Sequence, residues 1–311
     1  MNWDLSEEQQ AVRDAAAQVL GGERATWDEL AKADLLGLCL PEAYGGSGHG
    51  FFELALILEE QGRAGIHLPL LPTVVTAMAI AEFGNDEQKA KWLPGVASGD
   101  TVLTAVLDAE LQYAPYAGEA TAVLVGGELV PASALDITEL ETTSGEPQGV
   151  VRSTGSGESL PVQAEWLTER WIAGLCALQA GIADKALKLT AEYTTGREQF
   201  GKPVATFQAV AQRAADAYID TQAIQLSAYQ AAWRLAEGLP AANEVAVAKF
   251  WAADGGNRVA LAAQHLHGGI GVDRDYPLHT YTTWTKQIEL TLGSATPTLL
   301  RLGKAIAEEP V

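Results

Sequence analysis

Basic side chains are scarce in this chain: 20 lysines and arginines face 40 aspartates and glutamates, a formal net charge of −20. Such a surface repels phosphodiester backbones and anionic headgroups at long range, so neither nucleic acid nor a membrane is expected as a partner. An anionic cofactor or coenzyme A would need a local basic patch. Cysteine is nearly absent too. Cys39 and Cys176 each sit among apolar neighbours (LGLCLP, AGLCALQ), which reads as two buried hydrophobes and not as a disulfide or a nucleophile. No uninterrupted apolar run reaches the roughly 18 residues of a membrane span. The opening MNWDLSEEQQ lacks the basic start and apolar stretch of a signal peptide, so the expectation is a cytoplasmic protein. The few histidines suggest no metal site. His265 and His267 are two apart, wrong for one helix face, and His49, His67 and His279 have no Cys, Asp or Glu partner at ligand spacing. Long polar tracts are also missing, which argues against extensive disorder in these 311 residues.

What is present changes character twice along the chain, giving expected domains at 1–100, 101–163 and 164–311. The first reads as helices. Ser6 with Gln9 makes a capping box ahead of a helix to about Leu20, and Trp27–Leu36 ends on Gly37. A turn-rich loop, Pro41–Gly50, precedes apolar residues at helical spacing over Phe51–Gly62, and Asn85 with Gln88 caps a helix reaching about Ser98. In 101–163, TVLTAVL and TAVLVGGELV are rich in β-branched residues around the turn pair Gly126-Gly127, and Ser144–Gly157 collects Gly, Ser, Thr and Pro. Long helices are expected over Trp166–Thr195, Thr206–Glu237 and Ala241–His267, with a last one over Thr298–Ala307. Phe207, Val210, Ala211, Ala214, Ala217 and Tyr218 fall on one helix stripe, a face that could be left for a partner. The fold class is therefore mainly α: an N-terminal helical domain, a small central β domain and a C-terminal helical bundle.

Two segments carry candidate chemistry. GREQFGKPVATFQAV (196–210) places Arg197 and Lys202 around Phe200 and Gly201; a guanidinium fork beside a flat ring can hold a phosphate and flank an adenine. The plain alternative is a helix–helix turn with an incidental Arg. HLHGGIGVDRDYPLHTYTTW (265–284) removes side chains at Gly268, Gly269 and Gly271, which lets backbone N–H groups approach a phosphate, or simply stops a helix. Neither segment is specific alone; their pairing is. GGSGHG at 45–50 lacks both the preceding strand and the glycine spacing of a dinucleotide fingerprint. No Ser–His–Asp arrangement can be assigned.

Taken together, these residues resemble the acyl-CoA dehydrogenase family. PEAYGG and ILEEQGRAG in the first hundred residues, Arg197–Gln208 (Arg-x-x-Phe-Gly-Lys-Pro-x-x-x-Phe-Gln), Leu266–Gly271 (Leu-His-Gly-Gly-x-Gly) and Asp275-Tyr276-Pro277 are similar to its patterns, in the same order. The resemblance implies the family's architecture, with a C-terminal four-helix bundle. It also implies FAD at a subunit interface, with Arg197, Phe200, Gln208, Gly268 and Gly269 reaching the adenosine and pyrophosphate of a neighbour's flavin. His265 stands where the family often has Gln, and a His can still donate to phosphate. The family's reaction needs a carboxylate to take an α-proton while a hydride leaves to flavin. At the two positions where members place that Glu, this chain has Leu292 and Trp171. No catalytic residue is therefore assigned.

The usual segments over the flavin ring are missing as well. LTAVLDAE replaces a Thr-Glu-Pro stretch, and 101–163 contains no Trp. The resemblance therefore implies a base-less subunit of a heteromeric acyl-CoA dehydrogenase, like those of actinobacterial steroid side-chain degradation. Such a subunit would share FAD with a catalytic sister in an α2β2 assembly acting on an acyl-CoA, and alone it is expected to be inactive. Two other readings stay open. One is a self-sufficient enzyme with a displaced base at Glu169 or Glu289; the other is a flavin-free scaffold.

Overall fold

The computed structural model describes residues 4–22, 25–108 and 110–308. The first three residues of MNWDLSEEQQ, Ala109 of LTAVLDAE and the last three residues of 164–311 lie outside them. Both capping boxes form as the sequence implies. The Ser6 hydroxyl accepts from Gln9 N at 3.2 Å, and Asn85 Oδ1 accepts from Gln88 N at 2.9 Å. They start α1 (Glu7–Leu20) and, after α2 (Trp27–Lys32), α3 (Phe51–Ala64) and α4 (Leu70–Phe83), α5 (Asp86–Ser98). Helix α2 stops earlier than Gly37. Asp34 turns the chain at φ +57°, and Leu35 and Leu36 are buried by that turn, not by a continued helix. Helix α4 offers no amphipathic period to read. It is buried on almost every side from Leu70 to Ile80, so the polar face that marks a surface helix is missing.

The middle region carries seven short strands: β1 (Leu103–Ala105), β2 (Tyr113–Pro115), β3 (Ala122–Val125), β4 (Glu128–Pro131), β5 (Leu135–Leu140), β6 (Gln148–Ser153) and β7 (Glu158–Ser159). They form a four-stranded sheet in the order β1-β3-β4-β7 and a three-stranded sheet, β2-β6-β5. Gly126 and Gly127, at φ +58° and +85°, close the β3–β4 hairpin, a conformation that favours glycine. Alternation along β3 decides which core each residue joins. Ala122 and Leu124 pack with the helices, while Val123 joins a small cluster with Ala114, Ala117 and Val151.

The C-terminal helices are α6 (Ala164–Gly196), then α7 (Gln208–Ala236) after a two-residue-stranded hairpin β8 (Glu198–Gln199) and β9 (Lys202–Pro203). The expected helix Ala241–His267 is α8 (Ala242–Phe250), one π turn at Trp251–Gly255 and α9 (Gly256–His267). Helix α10 (Leu278–Thr291) is not apparent from its threonine-rich sequence; burial of Tyr281, Trp284 and Ile288 holds it. Helix α11 spans Ala295–Glu308. On α7 the expected stripe is largely open: Ala217 is buried, but Ala211 and Tyr218 are exposed.

Helices α3 and α6 cross at backbone contact. A Cβ on Gly181 would overlap the Glu59 carbonyl, and one on Gly62 would overlap that of Leu178. A charged network spans the same crossing. Glu59 is fully buried and accepts from Arg63 at 2.6 Å, from Gln225 Nε2 at 2.8 Å and from the Tyr229 hydroxyl at 2.5 Å. Arg63 also pairs with Glu60 and, at 2.7 Å, with Asp184. The ILEEQGRAG segment thus ties three helices together with a charge that is paired on every side. Cys39 and Cys176 are both free and buried. Burial pushes the Cys39 thiol up to about 12 and Cys176 higher still, so neither is a nucleophile. Among the described residues no helix is long and apolar enough to cross a membrane, and no His, Cys, Asp and Glu group could hold a metal.

Candidate functional site

Arg197 follows the last turn of α6, its N–H donating to the Tyr193 carbonyl at 2.9 Å. The chain then reverses through β8 and β9, with Phe200 and Gly201 at the tip, at φ +54° and +74°. Left-handed backbone suits Gly201. It is strained for Phe200, whose side chain is nevertheless 94% exposed and meets Phe207 edge-on at 6.3 Å. An aromatic ring held in water by a strained backbone gains no burial from its own chain. Arg197 is exposed and has no carboxylate partner among the described residues, although acidic groups outnumber basic ones two to one. Gln208, the first residue of α7, is exposed beside them.

The glycine turn lies at the same end of the bundle. Tyr193, one helical turn before Arg197, stacks on His267 with ring centroids 4.6 Å apart and planes at 19°. His267 is buried, and one of its ring nitrogens, Nδ1, lies 2.8 Å from the Ala263 carbonyl; burial lowers its pKa. This stack joins the end of α6 to the end of α9, where His265, Gly268 and Gly269 are all exposed. Three glycines there have three different reasons. Gly268 sits at φ +67°, and a Cβ on Gly271 would come within 2.7 Å of the Gln264 carbonyl. Gly269 has neither a positive φ nor any neighbour within 4 Å of an added Cβ, so nothing in this chain requires glycine there. A missing side chain facing open space is what close approach by an outside molecule would need. The six candidate residues therefore gather at one exposed end of the bundle, and the cation, the ring and the bare backbone suit the phosphate and adenine end of a dinucleotide.

A separate cavity of about 500 Å³ lies between the β region and the helices α4, α6 and α10. None of the six residues above lines it. Trp171 does, with its side chain buried. Leu292 packs in the helical core, and its neighbour Thr291 lies on the wall instead. Neither displaced-base candidate reaches this wall. Glu289 is bound to Lys286 at 2.5 Å, and Glu169, pushed up mainly by burial, lies on the side of α6 that does not line it.

The wall does hold a carboxyl that sequence patterns miss. Glu146 lies between Gly145 and Pro147 in a stretch that reads only as a turn. His67 anchors that loop by donating from Nε2 to the Ser144 carbonyl at 3.0 Å while its ring packs edge-on against Trp284 at 4.3 Å. Glu146 is half-buried and accepts from Gln148 Nε2 at 2.9 Å. Desolvation pushes its carboxyl up to about 7, against that hydrogen bond. The Trp284 indole N–H also approaches and opposes the rise, but without hydrogen-bond geometry. No local spacing could signal this group, because its environment comes from α10, more than a hundred residues later.

Comparison with known proteins places both helical ends of the chain in one family. Residues 6–100 match the model of the acyl-CoA dehydrogenase N-terminal domain, and residues 167–307 match that of the C-terminal domain. Acyl-CoA dehydrogenase FadE27 of Mycobacterium tuberculosis is 36% identical, covering 93% of this chain and 89% of its own. Acyl-CoA dehydrogenase FadE28 of the same organism is 32% identical over 97% and 98%. Among solved structures, the ChsE4-ChsE5 complex from Mycobacterium tuberculosis superposes with a TM-score of 0.92, at 33% identity over the whole of both chains. A variant of the Tcur3481-Tcur3483 steroid ACAD does so with a TM-score of 0.90, at 38% identity over 97% and 98%.

Proposed function

Because this chain belongs to the acyl-CoA dehydrogenase family, whose oxidoreductases use FAD, we propose that it is the half-site subunit of a heteromeric enzyme. In this reading it lends the adenosine and pyrophosphate end of the flavin site to a catalytic sister and performs no proton abstraction itself. The observation that carries the reading is Phe200, a ring at φ +54° and 94% exposed, which its own chain leaves unburied. Arg197, exposed and without a carboxylate partner, would pair with pyrophosphate, with His265 and the backbone N–H groups of Gly268 and Gly269 donating alongside. Gln208 would donate to the adenosine, and Phe200 would flank its ring. When bound, FAD supplies the hydride acceptor of the family's α,β-dehydrogenation. The proton acceptor would come from the sister subunit, since Trp171 offers none and Leu292 is buried in the core. Two relatives with solved structures are two-component complexes, and one is described as a steroid ACAD. This supports a sister subunit and a steroid acyl-CoA as substrate; the assembly we propose is α2β2, with the acyl group on a steroid side chain.

The test is cofactor content. The chain purified alone should be colourless, and FAD should appear only when the sister is co-expressed. A homo-oligomer with one flavin per chain would overturn the reading. The self-sufficient alternative lacks support from geometry, because neither Glu169 nor Glu289 lines the cavity.

A further inference from the structure

His267 is not among the flavin contacts assigned above, yet the segments that carry them meet on its ring. That ring is 3% exposed and lies between two tyrosines: Tyr193, stacked at 4.6 Å, and Tyr276, tilted by 59° at 5.3 Å. Each tyrosine belongs to a different flavin-facing segment. Tyr193 is in the last turn of α6, and its carbonyl accepts the N–H of Arg197. Tyr276 lies in the loop that follows the glycine turn, and its carbonyl accepts from His279 N at 3.0 Å, at the start of α10. His267 itself is the last residue of α9, so the turn at Gly268 and Gly269 begins from its backbone.

One bond fixes the protonation of the ring. The Ala263 carbonyl can only accept, so Nδ1, 2.8 Å away, carries the hydrogen. In the neutral ring Nε2 is then bare, and it is buried with no partner among the described residues. A second proton would put a donor and a charge where no acceptor is offered, which burial disfavours. We propose that His267 is a positioning residue: its neutral ring holds Arg197 and the Gly268-Gly269 turn at the spacing a pyrophosphate needs, and protonation of Nε2 releases that hold. The inference rests on the half-site reading only for what is held there.

The ionisable groups of the segments packed around the ring are Glu192 and Tyr193 on α6, His265 on α9, Asp273, Arg274, Asp275 and Tyr276 on the loop, and His279 on α10. The α7 residues beside Ala263, Ala214 and Ala217, carry none. None of these groups moves the titration of His267, which burial lowers and the Ala263 carbonyl opposes. The sign separates His267 from its neighbour two residues away. Protonating the exposed His265 adds a cation beside the pyrophosphate and tightens binding, whereas protonating His267 loosens it. Flavin affinity should therefore be complete above the ordinary histidine value of 6.5 and fall as the pH drops below it.

The test has one arm without flavin. NMR titration of the isolated, isotope-labelled chain should show His267 taking its proton below 6.5, with the amide signals of Gly268 and Gly269 moving at the same midpoint. A midpoint at or above 6.5 would mean that the Tyr193 ring face stabilises the imidazolium, and it overturns the proposal. Glycine amides that do not follow the histidine overturn it as well. The second arm follows free-flavin fluorescence on dilution of the complex. Retention in the parent should weaken about threefold or more between about pH 7 and about pH 5.5. His267→Phe, which keeps a ring on Tyr193 but takes no proton, should remove that acid dependence; if the variant does not assemble, the first arm decides. Acid dependence that survives in His267→Phe overturns the proposal and leaves the half-site reading standing. A homo-oligomer with one flavin per chain sinks the half-site reading alone, because the same pH profile is then read on that oligomer.

Discussion

Replacing Phe200 by Asn separates what the hairpin's backbone costs from what its side chain is used for. A bulky residue at φ +54° costs about 1 kcal/mol, and Asn tolerates that region well. The ring is 94% exposed, so its burial contributes nothing to the chain's own fold. Its edge-on packing against Phe207 at 6.3 Å is worth roughly 0.5–1.5 kcal/mol at most. Relief of the backbone strain and removal of this ring pair nearly cancel, so Phe200→Asn should leave the isolated chain within about 1 kcal/mol of the parent. In the complex the ring would be buried against an adenine. Removing it there costs roughly 1.5–3 kcal/mol, or about tenfold to a hundredfold in flavin affinity. Urea unfolding of the isolated chain measures the first quantity, and the rise of free-flavin fluorescence on dilution of the complex measures the second. The reasoning fails if flavin retention is unchanged in an intact complex. It also fails if the isolated chain is destabilised by more than about 2 kcal/mol, which would make Phe200 a packing residue.

Three further outcomes follow from the same geometry. Arg197→Ala should weaken flavin retention by about 1.5–3 kcal/mol with assembly intact, read by flavin content after gel filtration. Tyr229→Phe removes one of three donors to the fully buried Glu59, and should lower the urea midpoint by about 1.5–3 kcal/mol of stability with an unchanged m-value. Glu146→Gln should stabilise the chain in a pH-dependent way. A carboxyl raised from 4.5 to about 7 binds its proton more tightly when folded, so its penalty is absent near pH 4, grows as pH rises and is complete above 7. The gain should approach about 3 kcal/mol at about pH 8 and vanish near pH 4 in parallel denaturation curves.

Legibility in the sequence followed the range of the interactions. The Ser6–Gln9 and Asn85–Gln88 boxes and the Gly126-Gly127 hairpin are local, each made within four residues, and each forms as read. The patterns around Arg197 and Gly268 are equally local, and their order along the chain already pointed to the family. Helix α4 was illegible because burial on all sides erases periodicity, and α10 because tertiary packing overrides its weak propensity.

The amino-acid sequence by itself determined the helical ends, the β-rich middle, the acidic composition, the patterns around Arg197 and Gly268 and the lack of a Glu at positions 171 and 292, because each depends on residue type and short spacing. Only the tertiary structure decided three other things. The Tyr193–His267 stack brings the segments around Arg197 and Gly268 to one end of the bundle. Leu292 turns into the core while Trp171 walls the cavity. Glu146, in a turn with no pattern of its own, is held in an apolar wall by His67 and faced by Trp284, and acquires a pKa near neutrality. Such properties arise from desolvation by distant segments, and a carboxyl's surroundings are set by what packs over it, not by its neighbours in the chain.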